Sequence, residues 1–236
     1  MSVALSIYST QAAPPPLAGW LQRVLHPVLA ACRFEHGLPV EVRPTGSWGG
    51  WCSGRAEAPD RRIALTKKIC FWPAEKIVSV YLHEAAHRFL ECREVPTHGA
   101  EFFCLNAILL LRSAAFFRLD PLFQLDLYDL QEQPAELDEP NWRGVVLGWA
   151  LPTATELAAS DVNAEALADA VCERWQLFLY ERENARLQTA QKTLAARKKA
   201  AAVEGQIEDL KSSIFLWRAL SSVGFLFFLS VCIFVF

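Results

Sequence analysis

The sequence predicts an α+β fold in which a small sheet and helices form one domain, followed by a long helical stalk and a C-terminal transmembrane helix. Three observations support this architecture. Short alternating stretches typical of strands lie between helix-like apolar repeats in the first half of the chain. Ala, Glu, Lys, Arg and Gln then dominate from about residue 161 to residue 211, which favours a long helix. The residues after that are mostly apolar, and from Phe215 to Phe236 they include a single charged residue, Arg218.

The overall composition excludes several classes of protein. With 53% apolar residues and a net charge of −3, the chain is not a disordered polyelectrolyte, which could not bury enough apolar surface to become ordered. A pI of about 6.0 gives no general attraction to phosphate, so nucleic acid is not an expected partner. The seven cysteines are odd in number and contain no C-x-x-C pair, which indicates reduced thiols in a cytosolic protein. No basic residue precedes the short N-terminal apolar stretch, so a secretory signal peptide is not expected.

The first elements are a helix and two strands. Apolar residues at three- and four-residue intervals from Leu17 to Leu29 predict a helix, which Pro27 should kink or split. Leu38 to Arg43 is predicted as a strand, and the Gly- and Trp-rich stretch from Thr45 to Gly54 as a loop or hairpin connection. Arg61 to Thr66 is predicted as a second strand at the edge of the sheet, with the flanking basic residues forming a solvated rim.

Two further helices follow. Pro73 is well suited to the start of a helix, and no breaker appears before Val95-Pro96. Pro96 and Thr97 should begin the next helix, in which Asn106 is the only polar residue from Phe102 to Leu111. That composition predicts a helix buried on most sides.

The stretch from Asp120 to Glu139 contains acidic residues and no basic one, with Pro134 and Pro140 near its end. We interpret it as a solvated acidic linker or flap. A calcium loop would need closer and more regular spacing of its oxygen ligands, so we do not expect one here.

The long C-terminal helix is predicted as a solvated stalk. Its heptad line of Tyr180, Leu187, Leu194 and Ala201 has no equally apolar second seam, and a robust coiled coil needs both. Gly205 is a place where the helix could be interrupted.

Ala219 to Phe236 contain no charged residue, and as a helix they would span about 27 Å, close to the thickness of the hydrocarbon core of a bilayer. A buried core helix is the alternative interpretation. Basic residues precede this stretch and none follows it, so the positive-inside rule predicts a tail-anchored protein with its large N-terminal part in the cytoplasm. The predicted domain limits are residues 1–150 for the N-terminal domain, 151–213 for the stalk and 214–236 for the anchor.

The second long helix contains the sequence His83-Glu84-Ala85-Ala86-His87, which matches H-E-x-x-H. Residues four apart lie on one face of a helix, so both imidazoles can reach one metal ion. Glu84 is rotated about 100° from His83, so it cannot easily share the metal but can reach a water molecule bound to it.

A third ligand is expected shortly downstream. His98 is favoured, because it follows a turn at Pro96 and is followed by Gly99, which allows a close approach of the chain. Glu91, Glu94 and Glu101 remain as alternatives. Three protein ligands would leave the fourth tetrahedral position open, as in catalytic zinc sites. The other two histidines, His26 and His36, are interpreted as surface or capping groups.

The motif His83-Glu84-x-x-His87 followed by His98-Gly99-x-x-Phe102 resembles that of the SprT-like zinc metallopeptidases, over roughly Val80 to Phe103. The resemblance implies a minimal zincin-type domain of the gluzincin kind, with a small sheet, an edge strand beside the active-site helix, and zinc on His83, His87 and His98. No cysteine-rich zinc ribbon follows this stretch in the sequence.

These residues predict a membrane-tethered peptidase acting on protein or peptide substrates. Zinc would lower the pKa of its bound water to about 7, and Glu84 would act as the general base and then protonate the leaving amine. The substrate would pair with the Arg61 to Thr66 strand, and Tyr128 is a candidate for assisting the oxyanion. The alternative is a non-catalytic, membrane-anchored zinc-binding interaction protein, its site closed by Cys92 or Cys104.

Overall fold

The computed structural model describes the chain in nine stretches: 7–9, 15–35, 38–43, 50–53, 62–66, 71–91, 93, 95–125 and 129–235. Side chains are described for residues 19–35, 38–42, 63–66, 71–91, 93, 95–125 and 129–224. By its internal contacts the chain divides into a compact unit, Met1–Leu179, and a C-terminal segment, Tyr180–Phe236. The limits at residues 150 and 213 that the sequence suggests stay predictions.

The described part of the chain is mostly helical with one small sheet, which confirms the α+β class. The strands are β1 (Ile7–Ser9), β2 (Val40–Arg43), β3 (Gly50–Ser53) and β4 (Arg62–Thr66), and the helices are α1 (Pro15–Ala31), α2 (Ala74–Leu90), α3 (Ala100–Arg112), α4 (Trp142–Ala158) and α5 (Ala164–Val235).

The four strands form one sheet in the order β1-β2-β4-β3. β2 runs parallel to β1 and β4, and Val40 of β2 lies opposite Ile63 of β4. β3 pairs with β4 in the antiparallel sense. The prediction that Arg61 to Thr66 forms an edge strand is therefore wrong, because β4 is paired on both sides. Its Ala64 and Thr66 are buried along with Ile63 and Leu65, as expected for a central strand.

The edge strand beside α2 is β3, which lies inside the stretch predicted as a loop or hairpin connection. α2 contacts both β3 and β4, and it also contacts α1 and α3. α2 therefore occupies the centre of the compact unit. Most of its side chains are buried, including Ile77, Tyr81, Leu82 and the two alanines of the motif.

The predicted helices are present, although some of their limits differ from the predicted ones. α1 continues through Pro27 as one helix to Ala31, and two residues later Arg33 has a positive φ of 57°. There Phe34 N donates to the carbonyl of Leu29 in a Schellman-like end. α2 begins directly after Pro73, as predicted. α3 begins at Ala100 and not at Pro96, because residues 97–99 form a turn.

α4 was not foreseen from the sequence. It contains Gly144, Gly148 and Pro152, residues that ordinarily argue against a helix. Packing against α3 and the start of α5 overrides that preference, and Trp149 contacts both Trp175 and Phe178.

α5 is one continuous helix from Ala164 to Val235. Asn163 caps its start by accepting a hydrogen bond from Ala166 N, and Gly205 does not interrupt it. Tyr180, Leu187 and Leu194 are exposed. The solvated stalk stays a prediction. Within the part of the chain that the structure describes, none of the helices has both the length and the apolar character needed to cross a bilayer. The side chains of the predicted anchor from residue 225 onward lie outside the described residues.

Candidate metal centre

Helix α2 presents His83 and His87 side by side. The two residues are one turn apart, and their ring centroids are 4.7 Å from each other. Their Nε2 atoms are 3.1 Å apart. Ala85 and Ala86 between them are fully buried, so the backbone of α2 is held firmly against its neighbours at this point. The helical repeat in the sequence therefore predicted this pair correctly.

His98 reaches the same place from the turn before α3. Its Nε2 lies 3.1 Å from Nε2 of His87. The turn is tight, because Gly99 N donates to the carbonyl of Pro96, and a Cβ added at Gly99 would lie 2.9 Å from Cβ of Pro96. Glycine at position 99 is thus required by the close approach of the turn to itself.

The three histidines form a group that could hold a metal ion. One nitrogen from each of His83, His87 and His98 lies within 4.8 Å of the others. Two nitrogens sharing one tetrahedral ion, at bond lengths of about 2.0–2.1 Å, lie about 3.3 Å apart. The observed separations of 3.1 Å on two sides of the group match that geometry closely.

The ring of Phe102 packs against all three imidazoles. Its centroid is 4.1 Å from that of His87 in a stacked arrangement, 4.9 Å from His83 and 5.0 Å from His98. Phe102 is fully buried in the first turn of α3. It forms an apolar wall that restricts the rotation of the three rings and so helps to fix where their nitrogens point.

Asp129 binds the far side of His83. Its Oδ1 lies 3.2 Å from Nδ1 of His83, which leaves Nε2 of that ring facing the other histidines. Asp129 is only 6% exposed although it belongs to the acidic stretch. Its Oδ2 accepts a hydrogen bond of 3.4 Å from the side-chain amide of Asn106 in α3. A carboxylate in this position fixes the orientation and tautomer of a metal-ligating histidine.

The prediction of a solvated acidic linker is therefore wrong at Asp129, although Glu132, Glu136 and Asp138 are exposed. The same stretch also contacts the site through its backbone. The carbonyl of His98 accepts hydrogen bonds from Gln131 N at 3.1 Å and Glu132 N at 3.2 Å. Sequence reasoning missed this role of the stretch, and the one available signal was Asn106, a lone amide in an apolar helix.

Burial favours the neutral form of two histidines of the group, His87 and His98. It lowers the pKa of His87 to about 3, helped by the neighbouring His83 and His98 and opposed by Asp129. Burial also lowers the pKa of His98, with His83 adding to the effect while Asp129 and Glu132 oppose it. Neutral imidazoles have the free nitrogen lone pair that metal binding requires.

None of the other candidate site residues that the structure describes belongs to the three-histidine group. Glu84 is buried on α2 directly after His83 and is not a member of the three-histidine group. Glu91 is paired with Arg88, and burial raises the pKa of the Glu101 carboxyl. Cys104 donates to the carbonyl of Ala150 in α4.

Four other candidates lie outside the described residues: His36, Cys92, Glu94 and Tyr128. His26 is on α1 and is not a member of the three-histidine group.

The fold and the site together define a small α+β unit whose central helix and following turn supply a three-histidine group suited to a metal ion. Comparison with models of protein families, with curated proteins and with solved structures finds no match for this chain. The likeness to the SprT-like peptidases consequently depends on the motif residues themselves.

Proposed function

We propose that the protein is a zinc metallopeptidase of the SprT-like kind, with His83, His87 and His98 as metal ligands and Glu84 as the general base. One observation supports this most strongly: the imidazole nitrogens of an H-E-x-x-H helix and of a following H-G turn converge at spacings suited to one ion. Three imidazole ligands are typical of zinc, and a site with three protein ligands retains a position for water or substrate.

An open site favours catalysis over a purely structural metal. A structural zinc site is usually closed by a fourth protein ligand. Cys104 is engaged with α4, and burial raises the pKa of its thiol well above the usual range, with its charged form disfavoured. Among the described residues the group consists of the three histidines alone.

A bound zinc ion and three residues of the chain would have separate roles in peptide hydrolysis. A bound zinc ion would supply Lewis acidity and lower the pKa of water in its open position to about 7. Glu84 would accept the proton of the attacking water and deliver it to the departing amine. Asp129 would hold His83 in the tautomer that leaves Nε2 for the metal, and Phe102 would exclude water from the back of the site.

The substrate would be an extended polypeptide that pairs with β3. This strand replaces the one predicted from the sequence, because β4 is already paired on both sides. β3 lies at the edge of the sheet and contacts α2, the helix that carries the site. Strand addition uses backbone hydrogen bonds, so it would accept many sequences.

A membrane tether at the end of α5 is part of the proposal. Apolar side chains are exposed on several faces of the helix near its end, including Phe215, Leu216, Trp217, Leu220 and Val223. A helix that is apolar all round is typical of a membrane span. The basic residues before this region would place the compact unit on the cytoplasmic side. Recovery of the chain truncated before Ile214 in the membrane fraction would contradict the tether.

The experiment that tests the peptidase compares Glu84→Gln with the wild-type protein. We expect both to bind one equivalent of zinc, measured by metal analysis, and only the wild type to cleave an unfolded protein. Glu173→Gln, the same change at an exposed position of α5, is the matched control and should retain cleavage. If wild type binds zinc, cleaves neither itself nor any unfolded protein, and behaves like Glu84→Gln, the enzymatic proposal fails.

A further inference from the structure

An apolar stripe runs along α5 in a register different from that of Tyr180, Leu187 and Leu194. Its members alternate at intervals of four and three residues, the 3.5-residue repeat of a coiled coil. We call it the α5 seam, and it consists of Ala196, Ala200, Val203, Ile207, Leu210, Ile214 and Trp217. The five large side chains of the seam are between 47% and 72% exposed. No other described element covers them.

Ile207, Leu210 and Ile214, in the middle of the seam, are the residue types of a parallel two-stranded coiled coil. In heptad notation Ala200, Ile207 and Ile214 occupy a positions, while Val203, Leu210 and Trp217 occupy d positions. β-Branched Ile at a combined with Leu at d favours two parallel strands over higher oligomers. Gly205 falls at position f on the opposite side of the helix, so it takes no part in the stripe.

A groove in the surface of α5 supports the same register. It is lined by Ala196, Lys199, Ala200, Val203, Glu204 and Ile207. In a coiled coil each side chain at a or d enters a hole formed by four residues of the facing helix. The first four lining residues form such a hole for an a side chain, and the last four form one for a d side chain.

The charged side chains beside the groove indicate which partner helix would fit it. Lys199 is at position g and Glu204 at the following position e. In a parallel, in-register pair, g of one helix lies beside the next e of its partner, so Lys199 would meet Glu204 of the other copy on both sides. One heptad towards the N-terminus, Lys192 and Arg197 would repel each other, and Thr189 and Thr193 replace the apolar residues. The complementary stretch is therefore the seam itself.

We propose that a second copy of this chain binds the α5 seam, forming a parallel, in-register coiled coil over residues 196–217. Two copies of the seam are complementary to each other, because each supplies the a and d side chains, the matching holes and the opposite charges. It requires neither a metal ion nor peptidase activity, so its test is independent of the proposed function.

The test is disulfide formation in the full chain, solubilised in a mild nonionic detergent because of its apolar C-terminal stretch. Cysteine is introduced singly in place of Ile207, Ile214 or Ser212. Facing a positions are close enough for a disulfide, whose Cα atoms are usually about 4.4–6.8 Å apart. We expect covalent dimers well above the wild-type background with Ile207→Cys and with Ile214→Cys. Ser212→Cys, at outward position f, should remain at background.

Three outcomes of the disulfide experiment would overturn the proposal. Background levels at both a positions would exclude the pairing. Dimers from only one of the two would indicate an antiparallel arrangement, since only a residue near the axis would then face itself. Equal dimer formation with Ser212→Cys would indicate random collision.

Association measured by sedimentation equilibrium in the same detergent provides a second readout. Leu210→Glu places a charge in the seam and should give a monomer, whereas Ala202→Glu, at position c, should leave the dimer intact. Lys199→Glu should raise the dissociation constant about tenfold, through repulsion by Glu204, and Lys199→Glu with Glu204→Lys should restore it. A wild-type chain that stays monomeric at about 100 µM would contradict the proposal, as would failure of the double substitution to restore association.

Discussion

The compact unit and the C-terminal segment use their apolar residues in opposite ways. In the compact unit Leu21, Leu25, Ile63, Leu105 and similar side chains are fully buried in one core. In the C-terminal segment Val203, Ile207, Leu210 and Ile214 are exposed although they are just as apolar and just as regularly spaced. Periodicity alone thus indicates which face of a helix will be covered, and not whether the covering comes from the same chain.

The largest expected effect is at the metal group of the compact unit. His98→Ala removes one of three ligands, so zinc affinity should fall by about 10³-fold, since structural zinc sites derive about 10–16 kcal/mol from their ligand set. Competition with a chromophoric chelator measures the affinity. His26→Ala, on α1, is the matched control and should bind zinc normally. Unchanged affinity in His98→Ala would show that another residue is the third ligand.

The next prediction compares equal truncations in the two regions. Leu105→Ala opens a cavity in α3, where the side chain is fully buried, and should lower the free energy of unfolding of the compact unit by about 3 kcal/mol. Leu210→Ala removes a side chain that is 63% exposed, and should leave that free energy unchanged. Urea unfolding followed by tryptophan fluorescence, with both variants at low protein concentration, makes the comparison. Equal losses would contradict the division of the chain into two regions.

A smaller effect is expected from Asp129→Asn. The amide keeps the size of the carboxylate and loses its charge, so His83 is held less firmly in the metal-binding tautomer. Loss of such a supporting group typically lowers metal affinity by about 10–100-fold. Asp138→Asn, an exposed residue of the same acidic stretch, should have no effect. Equal affinities for Asp129→Asn and wild type in the chelator assay would remove Asp129 from the site.

The smallest effect is a pH dependence of the metal-free protein. The pKa of His87 is about 3 in the folded chain against 6.5 when it is exposed, so the unfolded chain binds more protons between these values. Stability therefore rises with pH in that window and is lost as the pH falls. Between about pH 7 and about pH 5.5 the His87 contribution should drop by about 1 kcal/mol. Chelator-treated wild type and His87→Gln, unfolded in urea at both pH values, isolate this contribution as the difference between their pH dependences.

The sequence was most informative where the functional signal is local. His83 and His87 follow from a four-residue spacing in a well-delimited helix, and His98 from a nearby turn with a glycine. Asp129 could not be found in this way, since its burial depends on Asn106 and His83, which approach it only after α2 and α3 have packed. The position of β4 in the sheet depends on pairing with β3, a four-residue strand in a stretch rich in glycine.

The two helices α4 and α5 show what local sequence patterns cannot predict. α4 contains two glycines and a proline that local preference disfavours, and its stability comes from neighbours distant in sequence. In α5 the heptad line predicted from Tyr180 to Ala201 follows one register, whereas the α5 seam follows another. Only the uninterrupted helix makes that second register meaningful, because a break at Gly205 would have separated its two halves.

The two hydrogen bonds from Gln131 and Glu132 to the carbonyl of His98 have a kinetic consequence. These amides can exchange with deuterium only when the stretch after α3 lifts away from the turn that carries His98. The same opening would also separate Asp129 from His83. Under conditions where reclosing is slower than chemical exchange, exchange at these two backbone amides measures the opening rate of the site, and that opening rate sets an upper limit on how fast a held ion could escape by that route.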